Sequence, residues 1–318
     1  MAEQTIPTRR LLISANQFLI GYQQQQEWAW LITTAFFLGG VGGGLFMISF
    51  FSDFKLGALV GILFVGVGKT TAHLLYLGKP LRFLRAVVRW KTSWISRGIL
   101  GMTGFCLLGA VYVAPYIHIS VVPNDVAHAF GIAALPFAFL MMFYDGFVLK
   151  ASKGIAFWDS YLMPVLMLFY ATLGGITATL ALEVLAGGAI TRRLEWIEIA
   201  LVAVNLVLIG FYVVSAPLRG AASELAARLL REARTGRTLL FAIAVGFGCT
   251  LVLAAVSLAT HSGATMAVAA LTDLLGHFFI LFAILRVGIH APIRPLPLRG
   301  VPARGRADHS DPPAADQR

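Results

Sequence analysis

Cysteine is almost missing from this chain: Cys106 and Cys249 are the only two in 318 residues. Both lie inside apolar runs and no Cys-x-x-Cys occurs, so the chain cannot by itself ligate an iron–sulfur cluster or a structural zinc. Charge is scarce as well. Charged residues make up 13% of the sequence against 58% hydrophobic, and the mean hydropathy is +0.80. A soluble core of this size needs a polar rind that such a composition cannot supply. A phosphate-binding loop is also lacking. Gly66-Val67-Gly68-Lys69-Thr70 looks similar to one, but it sits within an apolar run with no strand before it.

Eight long apolar runs fill the space that polar sequence would occupy in a soluble protein. They lie near residues 28–52, 56–77, 94–117, 126–149, 158–185, 195–216, 237–260 and 264–290. Each reaches the roughly 20 residues needed to cross a bilayer. The expected fold is therefore all-α: a polytopic bundle of eight transmembrane helices over 28–290, between an N-terminal segment, 1–27, and a tail, 291–318. The tail is rich in Pro, Arg and Asp, a composition expected to stay disordered. Thr8-Arg9-Arg10-Leu11-Leu12 faintly resembles an export signal, but Asn16 and Gln17 break the run after it, which predicts an uncleaved interfacial segment.

The net charge of +10 does not point to nucleic acid, because the basic residues alternate by side. Of 25 Lys and Arg, 21 fall before the first span, between spans two and three, after spans four and six, or at the end of the chain. The other loops hold only Lys55, Arg192 and Arg193. Positive loops remain in the cytoplasm, so both termini are expected there, in a bacterial inner membrane. Residues 80–92 and 219–236 place Arg and Leu on different helical faces, a pattern expected of basic helices on membrane lipid or of a docking surface for a partner. Glu183, Arg192, Arg193, Glu195, Glu198, His118, Asp125, His128 and His261 collect at the opposite ends of the spans, as interfacial residues wetted by water.

Polar residues inside spans are costly and tend to face a cavity or one another. Lys69, His73 and Tyr76 fall at i, i+4 and i+7, one stripe of the second span. Asp273 and His277 are four apart on the eighth, a carboxylate placed to orient an imidazole. Asp145 lies in the fourth span and Asn205 in the sixth. Lys69 could neutralise either Asp145 or Asp273. Histidine with a carboxylate neighbour suits proton exchange near neutral pH, and Asp273 with His277 is the first candidate for it. His73 with His290, or His128 with His261, could in principle hold a haem, but they lack a clear glycine setting for the porphyrin.

The motif Phe36-Phe37-Leu38-Gly39-Gly40-Val41-Gly42-Gly43-Gly44 sets Gly39 against Gly43, and Gly40 against Gly44, as a bare packing face. It is followed by Leu77-Gly78-Lys79-Pro80-Leu81-Arg82-Phe83 and by Ser93-Trp94-Ile95-Ser96-Arg97-Gly98. These three blocks in order, with Tyr144-Asp145-Gly146 and Arg286 further on, resemble the polysulfide-reductase membrane-subunit family, the NrfD-like or PsrC-like anchors. In two places the chain departs from the family pattern: Tyr76 stands where an acidic residue is common, and Thr34 and Ala35 where a tyrosine is common. The resemblance implies a membrane anchor that exchanges electrons with menaquinone or ubiquinone. It also implies a ferredoxin-like iron–sulfur subunit and a molybdopterin or multihaem catalytic subunit as partners, with no haem or cluster in this chain. The competing expectation is a secondary transporter or proton-conducting subunit, suggested by the recurrence of Leu38-Gly39-Gly40 as Leu173-Gly174-Gly175.

Overall fold

A computed structural model describes residues 21–78, 89–119, 121–232 and 234–291. The terminal segments 1–20 and 292–318, and the stretch with Lys79, Pro80, Arg82 and Arg85, lie outside the described residues. Among the described residues, eight helices are long and apolar enough to cross a membrane: Trp30–Phe51, Lys55–Tyr76, Trp94–Val113, Asn124–Ala151, Leu162–Leu185, Arg192–Val214, Arg237–Thr260 and Gly263–Arg286. Large apolar side chains such as Phe51, Leu107, Val207 and Leu240 are exposed around the bundle, which suits lipid and not water. This is a multi-pass membrane protein.

The spans end where the backbone chemistry ends them. Ser93 caps the third span by accepting from the Ser96 amide, and Ser262 caps the eighth by accepting from Thr265. Gly78 takes φ +62° just past the second span, a left-handed turn that favours glycine. Arg97 donates to the carbonyls of Trp90 and Lys91 and lies over the Trp94 ring, which stacks on Phe147. The Ser-Trp-Ile-Ser-Arg-Gly block thus builds the turn that starts the third span.

The first and fifth spans form the central seam. A Cβ added at Gly44 would strike the Ala171 carbonyl oxygen, and one added at Gly175 would strike the Gly44 backbone. Glycine at both positions lets the two helices touch backbone to backbone. The fourth span also packs on the fifth, and the first on the eighth.

At the end of the bundle near residues 22 and 291, two short strands close the fold. Gln23–Gln24 pairs antiparallel with Ile289–His290, so the last span stops at Arg286, four residues before the sequence pattern suggested. Gln25 donates to the Leu285 carbonyl, Gln24 donates to that of Arg286, and the Arg286 guanidinium reaches the Gln26 carbonyl.

The basic segment after the sixth span forms the helix Ala221–Glu232. One face of it packs on protein. Ala222, Ser223, Ala226, Ala227 and Leu230 are buried against the bundle, because an alanine face allows close approach. Arg228 and Arg231 remain outside.

A buried ion pair and two cavities

The second span is not a uniform α-helix. Phe64–Lys69 forms a π-helical turn, and α-geometry resumes at Thr70. Such a turn carries an extra residue and re-aims the side chains that follow. It ends on Lys69, which it directs into the bundle. Gly39 makes the room, since a Cβ there would meet the Lys69 side chain. The ammonium donates to Asp145 Oδ2 at 2.7 Å, to Asp145 Oδ1 at 2.9 Å and to the Ala35 carbonyl at 3.3 Å. All three of its protons are therefore used. Both side chains are at most 4% exposed. Of the two partners open to Lys69 in the sequence, the fold selects Asp145.

A cavity of ≈ 220 Å³ opens beside this pair. Lys69, His73 and Tyr76 all line it, on their common stripe, and Trp28, Phe36, Thr70 and Tyr144 complete the polar and aromatic part of its wall. One water needs only about 10–15 Å³, so this space is large enough for a ring. His73 Nδ1 lies 3.0 Å from the Lys69 carbonyl oxygen, which leaves Nε2 as the ring nitrogen for a ligand. Leu77 and Ile95 also line the cavity and are exposed on the outside of the bundle, giving it an apolar mouth toward lipid.

Asp273 and His277 lie elsewhere, between the fifth, sixth and eighth spans. His277 Nδ1 is 3.2 Å from Asp273 Oδ2, but the approach is out of line for a hydrogen bond. Both are buried, and the rings of Tyr170 and Phe247 meet the imidazole edge to face. Thr177 Oγ1 lies 2.7 Å from Asp273 Oδ2 and 3.0 Å from Glu198 Oε1. His277 borders a second cavity of only ≈ 30 Å³, whose opposite wall includes Asp145. That space fits about two waters and no ring.

Three residues expected at the wetted ends of the spans are buried: Glu183 at 9%, Glu195 at 2% and Glu198 at 0% exposure. Thr191 donates to Glu183 through both its amide and its hydroxyl, and Ser257 donates to Glu195 at 2.7 Å. The signal was in the sequence. Glu195, Glu198, Val202, Asn205 and Ile209 recur at three- and four-residue spacing, and all five face inward. The roles of Tyr144, Tyr170 and Thr177 carry no comparable signal.

The sequence model of the family described as polysulphide reductase, NrfD, matches residues 19–292 of the chain. That range takes in all eight spans, both cavities and both buried clusters. A search of the curated proteins finds no match.

Proposed function

The chain belongs to the NrfD family, membrane subunits of oxidoreductase complexes, and from that premise we propose that its larger cavity is where a membrane quinone, menaquinone or ubiquinone, exchanges electrons with a partner subunit. The observation that carries this reading is a ring-sized, mainly apolar cavity with an apolar mouth and a few polar groups converging inside it. Quinone reduction takes up two electrons and two protons, and quinol oxidation releases the same. The Tyr144 hydroxyl and His73 Nε2 are the groups available to bond the ring oxygens, and Tyr76 lies at the cytoplasmic end of the same wall. Lys69 and Asp145 stand behind them. Their role is to hold Tyr144 and the second span in place, and to keep a fixed charge pair beside the ring without spending a proton. Asp273 and His277, the first candidates from the sequence, serve the reaction from behind the smaller cavity and not by touching the quinone.

Electrons must come from outside this chain, which has no cysteine ligands for a cluster. The partner that fits is a ferredoxin-like iron–sulfur subunit, itself joined to a molybdopterin or multihaem enzyme. It docks on the end of the bundle that carries the strand pair, because the cavity lies between the span ends there. The distribution of Lys and Arg assigns that end to the cytoplasm. A photoreactive azidoquinone should label residues 69–77 and 94–102 of the purified chain, and His73→Leu should lower both labelling and quinone-dependent turnover at least tenfold in membranes holding the complex. The chain alone should bind quinone and show no turnover. Labelling confined to the eighth span around His277 would overturn the assignment of the cavity.

A further inference from the structure

The group centred on Thr177 holds more acceptors than its hydrogens can satisfy. Thr177 has one hydroxyl hydrogen and two carboxyl oxygens within 3.0 Å, and an ionised carboxylate only accepts. One of the two contacts therefore needs a proton on Glu198 or on Asp273. No Lys or Arg pairs with either carboxyl among the described residues. Asp273 Oδ1, Glu198 Oε2 and His277 Nε2 are buried without a hydrogen-bond partner among the described residues. Fully buried, unpartnered acceptors are expensive, and a mobile proton or a water is the natural occupant of such a site.

The cluster also has a direction. At about 1.5 Å per helical residue, Glu195 and Glu198 lie roughly 5 and 9 Å from the Arg192 end of the sixth span. His277 lies roughly 14 Å from the Arg286 end of the eighth, facing the small cavity that Asp145 borders on the other side. Ser257 of the seventh span fixes Glu195, and Tyr170 of the fifth covers His277.

We propose that Glu198, Thr177, Asp273 and His277 form a proton-binding relay that joins the outer end of the bundle, by way of Glu195, to the water-sized cavity beside Asp145. This rests on the reading of the larger cavity as the quinone site, for which the relay supplies or drains protons. The steps are proton transfers only. Glu198 gives its proton to Thr177 Oγ1 as the threonine hydrogen passes to Asp273, so the hydroxyl is regenerated, and Glu198 takes a new proton from the outer end by way of Glu195, one turn before it on the same face. Asp273 hands a proton to one nitrogen of His277, and the other nitrogen releases one into the small cavity, which returns the carboxylate and the imidazole to their starting charges. Water in that cavity receives it beside Asp145, whose charge stays fixed by Lys69; Phe36 borders both this cavity and the larger one.

The full chain reconstituted in phospholipid liposomes tests the relay. A potassium diffusion potential set with valinomycin drives proton uptake, read by an entrapped pH dye, and decylubiquinone binding is read by tryptophan quenching on the same preparations. Protein-containing liposomes should take up protons faster than protein-free ones. Glu198→Gln and Thr177→Val should each lower the excess at least fivefold and leave decylubiquinone binding unchanged. Thr177→Val alters no charge and nearly preserves volume, so it serves if Glu198→Gln does not fold. The unaltered protein should also show, in its infrared spectrum at neutral pH, a carboxylic-acid carbonyl band that shifts in deuterium oxide. Uptake equal to that of protein-free liposomes, full uptake by the folded Thr177→Val protein, or the absence of that band would each overturn the relay. Glu198-dependent uptake with no quinone binding would instead leave the relay standing and remove the quinone reading.

Discussion

The first four spans and the last four both bury charge deep in the bundle, and they satisfy it in opposite ways. In the first four, Lys69 and Asp145 cancel one another, every ammonium proton has an acceptor, and Lys69 lines a ring-sized cavity. In the last four, two carboxyls compete for one hydroxyl, an imidazole nitrogen has no partner, and the adjoining space fits only water. A saturated pair is fixed in charge and geometry and suits a scaffold. An undersaturated cluster gains or loses a proton without rebuilding its surroundings. The seam at Gly44 and Gly175 holds the two kinds of site against each other.

The strongest way to break this contrast is to unsaturate the first cluster. Lys69→Met leaves Asp145 buried and alone, which should cost about 3–5 kcal/mol and remove most folded protein from membranes, as measured by fluorescence-detected size exclusion. Adding Asp145→Leu should restore most of it; a single variant that melts like the parent would show that the pair does not hold this half. Gly44→Val comes next. The collision is with backbone, which relaxes poorly, so a loss of about 1–3 kcal/mol or more should appear as a lower melting temperature.

Smaller changes sharpen the comparison from the second cluster. Thr177→Val removes one hydrogen-bond donor and should cost about 1 kcal/mol, a modest shift in melting. Tyr170→Phe removes a buried hydroxyl that has no partner among the described residues, so its melting temperature should stay the same or rise slightly. A clear drop would mean that this hydroxyl is bonded, and that the second cluster is more fully satisfied than its geometry implies.

What could be read from the sequence follows from which forces act locally. Bilayer thickness fixes span length, so all eight spans were legible to within a few residues. The stripe of Lys69, His73 and Tyr76 was legible because a single helix sets its period. The choice of Asp145 over Asp273 was not, since it depends on which spans are neighbours. Thr177 was invisible for a different reason. Threonines in apolar helices commonly bond their own carbonyl four residues back, as Thr33, Thr172 and Thr179 do here, and nothing in the sequence distinguishes Thr177 from them. The inward stripe of the sixth span was legible and was outweighed by nearness to a span end. The π-helical turn that ends on Lys69 resembled a nucleotide loop in sequence, and its Gly66 and Gly68 instead make room for Cys106 and Leu38 of neighbouring spans.

The strand pair at the end of the bundle bears on how the protein is made. Gln24 and Arg286 are 262 residues apart in the chain and hydrogen-bonded in the fold. At synthesis rates of about 5–20 residues per second, the first span waits roughly 15–50 s in the bilayer before its closing partner leaves the ribosome. During that interval the amides of Gln23, Gln24 and Gln25 have only water or another protein to bond. In nascent chains stalled before residue 285 the Gln23–Gln24 strand would therefore be open to chaperones and proteases, and completion of the last span would cover it by pairing with Ile289–His290.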